Sequence, residues 1–462
     1  MKMKSMTMKN LLLRMQLIRP GKYRMNVTTR RDSRRRWRVC TALLACLAVS
    51  LPVLAQEVKI PNATDLQSHG VTQAELNGLD AIMLEGIEKG TIEGGSFLVA
   101  HKGEIVYRKA FGYADIEAKR PFTTEDLLLI ASVSKPLAAS VIMVLVEQGK
   151  LKLDDSVEKY LPEFKGKKVK GSDSPTPPMT IRHLLSHTAG FWGNHEITPE
   201  QNDLIRNMER PLSEAVKKIA EYDLIYEPGT KHLYSGTGYC VLGRVAEVVL
   251  DQSFEEIAQD ALFRPLGMNN TTYLPSIEAL KTVPAWYLEQ GGKLLKFPCL
   301  AQTPIWFVDP RALKVSSSAP VIDLRFILVG GSLFSTLDDM AMFGQMHLND
   351  GVYNGKRFLS NASVTEMRRL QIPEERFRAP GLGWHRDLPD ENGLADLIFI
   401  SGGHGAHLQV NRRQQTVTVF LTRSTVRQAV GIFNPLNQHT EQIFSVPKSL
   451  PDGPSQAKRR GK

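Results

Sequence analysis

Ser132 and Lys135 stand three residues apart where a strongly apolar helical pattern begins, so both side chains fall on one face of its first turn. Ser132 then sits at the positive end of the helix dipole, where an oxygen gaining negative charge is stabilised. A serine hydroxyl is a poor nucleophile until its proton is removed, and a lysine amine can remove it when burial or neighbouring cations keep that amine neutral. The pair thus has the composition of an acyl-accepting serine and its base. The spacing is common, and Ser455 and Lys458 repeat it in the C-terminal tail. An N-cap serine followed by a surface lysine reads identically.

A scaffold for such a site is legible around it. From Gln73 to Lys89, Leu76, Leu79, Ile82, Met83 and Ile87 recur at helical spacing up to Gly90. Ser96–His101 and Glu104–Gly112, separated by Lys102-Gly103, predict a β-hairpin. The strongest helix spans Val133–Gln148, entered at Ser132 and stopped at Gly149. Helical patterns follow at Thr180–Ser186, Leu212–Tyr222, Gly238–Leu250 and Phe254–Leu262, whereas 280–328 shows no clear period. Strand patterns return at Asp396–Ser401, His407–Asn411 and Thr416–Thr422, before a last helix over Val426–Ile443. The simplest architecture is a sheet assembled from both chain ends, with the terminal helices packed on it and a helical lobe inserted at about 133–325.

The run Ile130-Ala131-Ser132-Val133-Ser134-Lys135-Pro136 resembles the active-site segment of the serine beta-lactamase family, in its class C-like branch with esterases and D-Ala-D-Ala carboxypeptidases. Lys150–Val157, Met179–Gly190, Tyr226–Gly229, Phe263–Met268 and Gly330–Thr336 resemble further family segments, in the family's order, across about residues 70–425. The resemblance implies the α/β, beta-lactamase/transpeptidase-like fold: an antiparallel sheet flanked by helices plus an inserted all-helical lobe. It also implies Tyr234, in Tyr234-Ser235-Gly236, as the tyrosine that relays a proton between nucleophile and leaving group. Gly236 stands where the family carries an asparagine that donates a hydrogen bond to a substrate amide, an interaction worth on the order of 1–3 kcal/mol.

The family's third element, usually Lys-Thr-Gly or His-x-Gly, matches Gly402-Gly403-His404-Gly405-Ala406-His407, which follows Gly381-Leu382-Gly383-Trp384 as the family order requires. His404 would replace the lysine, the N–H groups of Ser132 and His407 would form the oxyanion hole, and His404, Gly405, His407 and Gly236 are the implied substrate and oxyanion positions. Ala406 departs from the expected glycine. The implied substrates are a small-molecule ester, a beta-lactam or a D-amino-acid peptide, with the glycine at 236 ranking ester first. A non-catalytic binding protein that retains the fold is the competing class. His183 and His187 lack a third ligand at zincin spacing and read as packing residues. No Gly-x-Ser-x-Gly elbow, Gly-x-Gly-x-x-Gly loop or Walker sequence occurs, and no cofactor is implied.

Of the 462 residues, 58 are Lys or Arg and 48 Asp or Glu; residues 1–55 hold 13 of the bases and one acid, leaving 45 against 47. The remainder is close to neutral, with short basic runs only at Lys165–Lys170 and Lys458–Lys462, which excludes a nucleic-acid-binding face. A basic stretch from Arg30 to Arg38 followed by an uncharged apolar run from Val39 to Ala55 predicts an export signal cleaved before Gln56, with residues 56–445 as the hydrolase domain and 446–462 as a basic tail. Periplasmic or secreted placement follows, with membrane contact only through an uncleaved signal. Cys240 and Cys299 remain after such cleavage and are expected as two buried thiols.

Overall fold

The computed structural model describes residues 59–445, apart from 195–196, 207–209, 291–292, 298–326, 373–379 and 388. The export segment at 1–55, the tail at 446–462 and Cys299 lie outside the described residues.

Thr72 starts α1 (Gln73–Glu88) through a capping box: its hydroxyl oxygen accepts from the Glu75 N–H while the Glu75 carboxylate accepts from the Thr72 N–H. The chain then forms the hairpin β1 (Gly94–His101) and β2 (Glu104–Asp115), the short β3 (Arg120–Pro121) and β4 (Leu128–Leu129). Helices follow: α2 (Ser134–Glu147), α3 (Ile181–Leu185), α4 (Pro199–Arg206), α5 (Leu212–Ala220), α6 (Gly236–Leu250), α7 (Phe254–Ala258), α8 (Arg264–Leu266) and α9 (Ile277–Leu280). A second hairpin, β5 (Trp286–Gln290) and β6 (Lys293–Phe297), lies where no period was legible. Then come β7 (Phe334–Ser335), α10 (Leu337–Leu348), β8 (Val352–Tyr353), β9 (Lys356–Arg357) and α11 (Asn361–Met367). The chain closes with β10 (His385–Arg386), β11 (Leu397–Ser401), β12 (His407–Asn411), β13 (Thr416–Thr422) and α12 (Val426–Ile443).

Seven strands form one antiparallel sheet in the order β10-β11-β12-β13-β1-β2-β3, so the two chain ends meet where β13 pairs with β1, Gly95 opposite Thr422 and His101 opposite Thr416. All eight residues of β1 are buried. Alternation decides which layer each side chain joins: Leu98 and Ala100 enter the main core, Phe97 and Val99 the smaller core under α1 and α12. The β4–β7 ladder, Leu128 opposite Ser335, closes the base of the helical insertion between them.

Two elements differ from the sequence expectation for identifiable reasons. The helix at 254–262 is α only to Ala258 and then widens into a π turn over Gln259–Phe263, ahead of Pro265. Helix α10 escapes a period search because eleven of its twelve residues are buried, leaving no polar face to mark it. Thr336 caps it by accepting the Asp339 N–H, and Phe343 stacks on Trp384 at 5.9 Å. Because Phe343 is fully buried, Phe343→Ala is expected to cost about 3–5 kcal/mol of unfolding free energy. Urea titration checks this, and a loss under about 1 kcal/mol would displace α10 from the centre of the core.

Candidate active site

The chain reaches Ser132 through an unusual backbone. Ala131 takes a left-handed conformation at φ 47, uncommon for a residue with a side chain. Residues Ala131–Val133 form a 3-10 turn, and the α-helical pattern begins at Ser134, two residues later than Ser132. Neighbouring bonds hold this turn: the Ile130 N–H donates to the Leu333 carbonyl at 3.0 Å, and Ser134 Oγ donates to the Ala131 carbonyl while accepting the Leu333 N–H at 3.2 Å. Left-handed residues persist where surrounding structure over-determines them.

Lys135 is 2% exposed. Its Nζ donates to Ser132 Oγ at 3.2 Å and to the Gly330 carbonyl at 2.7 Å. The same nitrogen lies 4.7 Å from the Tyr234 ring centroid and 5.6 Å from that of Tyr239, within cation–π range. Lys135 is therefore within reach of both the Ser132 hydroxyl and the Tyr234 ring, which come from two separate parts of the helical insertion.

Tyr234 is flanked by imidazoles. His187 lies 4.5 Å away and His385, on β10, stacks on it at 5.8 Å. His385 was not singled out by sequence reasoning; its only signal is its place directly after Gly381-Leu382-Gly383-Trp384. Burial pushes the His385 imidazole down to about 4, with the Lys135 charge as a secondary cause. His187 is held well below its usual value by burial first and Lys135 second, and its Nδ1 accepts the Ser235 N–H at 3.2 Å. His183 closes a capping box with Thr180, whose N–H it accepts. Both histidines of the 183–187 segment thus serve the backbone. Among the described residues no group of three or more His, Cys, Asp or Glu is placed to hold a metal ion. Cys240 is a buried free thiol, pushed up to about 12 by burial.

The Gly402–Ala406 turn packs against the segment that carries Ser132. A β-carbon at Gly402 would lie 2.2 Å from the Ile130 carbonyl, so only glycine permits this approach. Gly405 has φ 95, a conformation that strains other residues. The Gly402 N–H donates to the Ala406 carbonyl at 2.7 Å, closing the turn across the position where glycine was expected. His404 is buried and meets Trp286 edge-on at 4.6 Å, and the Arg423 guanidinium lies 5.0 Å from the same indole.

The His407 side chain points into the opposite layer, flat against Phe433 of α12 at 4.1 Å. Thr418 donates to Asn437 Oδ1, which orients the Asn437 amide to donate to His407 Nε2 at 3.0 Å; His407 Nδ1 then donates to Ser401 Oγ at 2.9 Å. That tautomer is neutral, and burial pushes the imidazole down to about 3. His407 therefore contributes backbone only to the turn. At Gly236 the N–H donates to Asn194 Oδ1 at 2.8 Å, and the Asn194 N–H donates to the Tyr234 carbonyl at 3.2 Å.

The sequence profile described as Beta-lactamase matches residues 79–438. The chain belongs to the beta-lactamase family. Among curated relatives, a Salmonella typhi protein provisionally named as a D-alanyl-D-alanine carboxypeptidase is 27% identical over 353 residues, covering 73% of this chain and 78% of that one. Among solved structures, EstCE1, described as a hydrolase with promiscuous acyltransferase activity, has a TM-score of 0.66 at 24% identity, covering 80% of this chain and 98% of its own. The octameric penicillin-binding protein homologue of Pyrococcus abyssi has a TM-score of 0.59 at 24% identity, covering 78% and 77%. This chain has the beta-lactamase/transpeptidase-like fold, with its antiparallel seven-stranded sheet.

The neutral histidines make stability depend on pH. His385, held near 4, and His407 and His347, both near 3, bind protons in the unfolded chain below about pH 6.5 that the folded chain excludes. Stability contributed this way is complete above pH 6.5 and is lost as pH falls, on the order of 1 kcal/mol per histidine by pH 5.5. Asp339, raised to about 6 by burial, and the raised carboxyls of Glu93, Asp126, Glu247 and Asp387 work in the opposite sense, while His101, His183 and His187, also lowered by burial, add to the effect of the three. The melting temperature is expected to drop between pH 7 and 5.5; a flat or rising profile would show these imidazoles to be charged in the fold.

Proposed function

We propose that the protein is an exported serine esterase of the beta-lactamase family, acting through an acyl-enzyme on Ser132. The observation that carries the reading is Lys135 Nζ, buried and 3.2 Å from Ser132 Oγ while facing the Tyr234 ring. Ser132 Oγ attacks the ester carbonyl as its proton passes to the free-amine form of Lys135. Tyr234 and Lys135 then deliver a proton to the departing alcohol oxygen as the C–O bond breaks. Water adds to the acyl-enzyme, Ser132 recovers its proton and the acid leaves. Backbone N–H groups at Ser132 and at the start of β12 are the proposed oxyanion donors, each worth about 2.7–4 kcal/mol in comparable sites. His404, on the turn beside Ile130, is proposed as a substrate contact.

Ester substrates rank first because Gly236 offers no side-chain donor of its own and because a fold neighbour is described as EstCE1, a hydrolase. The Salmonella relative's name supports D-Ala-D-Ala carboxypeptidase activity as a second reading. Export is proposed from the basic stretch and apolar run before Gln56.

The deciding experiment is steady-state hydrolysis of p-nitrophenyl butyrate by the purified protein beside Ser132→Ala. Turnover is expected in the parent and none above background in the variant, with Lys135→Ala and Tyr234→Phe each lowering kcat by about 100- to 10,000-fold. Equal rates in parent and Ser132→Ala would remove Ser132 from the reaction. Stoichiometric labelling of Ser132 without turnover would favour the binding-protein class.

A further inference from the structure

The carbonyls of two consecutive residues in the segment 328–333 face different partners. The Val329 carbonyl accepts from Tyr273 Oη at 2.8 Å, and the Gly330 carbonyl accepts from Lys135 Nζ at 2.7 Å. The backbone turns tightly around them, the Leu328 carbonyl accepting the N–H groups of both Gly331 and Ser332, at 2.7 and 2.8 Å. Val329 is fully buried against α6, where a β-carbon at Gly243 would lie 2.4 Å from its Cγ2. Tyr273 is itself held in place. It is 2% exposed, its ring meets Phe254 of α7 edge-on at 5.7 Å, and its backbone N–H donates to Glu255 Oε2 at 2.8 Å. Burial raises the phenol well above its usual value, so Oη keeps its proton and stays a donor. A carbonyl only accepts, so the Lys135 amine must turn an N–H toward Gly330 in either protonation state. The nitrogen's other valences share the remaining directions, one of which is Ser132 Oγ at 3.2 Å. In the free-amine form the lone pair is among them, where it can take the serine proton.

We propose that Tyr273 is a positioning residue for Lys135: its hydroxyl holds the Val329–Gly330 peptide so that the Gly330 carbonyl orients the amine toward Ser132. This rests on Ser132 being the acyl acceptor. Because Tyr273 acts through Lys135, deleting its hydroxyl slows the reaction of Ser132 without weakening substrate binding, and does nothing once the amine is gone. A tyrosine that only packs α7 against the segment behaves differently. Its loss would lower stability and subtract the same factor from activity whether or not Lys135 is present.

The test reads two rates: labelling of Ser132 by a fluorophosphonate, with the site located by mass spectrometry, and hydrolysis of p-nitrophenyl butyrate. Tyr273→Phe deletes one oxygen and keeps the ring. It is expected to lower the second-order labelling rate and kcat by about tenfold, as loss of one orienting hydrogen bond predicts, with KM little changed. In a Lys135→Ala background the same substitution is expected to change the labelling rate by less than about twofold. Tyr273→Met removes the donor through a side chain that adapts to the same space, and is expected to give the same pattern should the phenylalanine variant fold poorly. Tyr107→Phe is the control for losing a buried hydroxyl: Tyr107 lies in the smaller core, bonded to Asp80 at 2.7 Å, and its variant is expected to label at the parent's rate even if its melting temperature falls. Equal losses with and without Lys135, a loss carried by KM, or an unchanged labelling rate in Tyr273→Phe overturns the proposal. A parent whose Ser132 takes no label overturns the Ser132 reading itself, and the proposal with it.

Discussion

A primary amine buried to 2% exposure without a carboxylate partner among the described residues is the constraint around which the rest of this structure is arranged. Lys135 is satisfied by one backbone carbonyl, one hydroxyl and two aromatic faces. Each of these comes with requirements. The Gly330 carbonyl reaches Lys135 only because residue 330 lacks a side chain: a β-carbon there would lie 3.0 Å from Tyr239 Cβ and 3.2 Å from Lys135 Cγ. The hydroxyl is delivered by a left-handed Ala131 and locked by Ser134.

The same constraint orders the histidines. His187 and His385 surround Tyr234, and both are disfavoured as cations by burial and then by Lys135. A cluster of imidazoles beside a lysine is tolerable only while the imidazoles are neutral. His187 meets that condition by spending Nδ1 on the Ser235 N–H. His407 is also kept neutral by burial, and a chain of hydrogen bonds from Thr418 through Asn437 on the far side of the sheet fixes its tautomer.

The sheet's assembly from both chain ends was legible because its strands alternate or run wholly apolar between turn residues, and α1, α2 and α12 because each has capping or stop signals. Helix α10 was not legible: buried on nearly every side, it has neither an amphipathic period nor exposed charge beyond its first turn. The hairpin at 286–297 was hidden because its anchors are remote, with Tyr287 Oη bonded to Asp115 and to the N–H groups of Ile116 and Glu117. Within the site, Ser132, Lys135 and Tyr234 were readable from motif and order. Asn194 and His385 were not, because their relation to Tyr234 is purely spatial: one comes from the segment after α3, the other from β10.

The junction between β1 and β13 bears on how the site comes into being. Between the end of β1 at His101 and the start of β13 at Thr416 lie more than 300 residues, and the two strands are direct neighbours in the sheet. Closing so large a loop is entropically demanding and slows folding relative to local contacts. A chain emerging N-terminus first carries Ser132 and Lys135 early, yet has no Gly402–Ala406 turn against Ile130 and no second edge for β1 until nearly all of it has been made. Nascent and partly unfolded forms of this protein therefore hold Ser132 and Lys135 without the turn that packs against their segment in the fold.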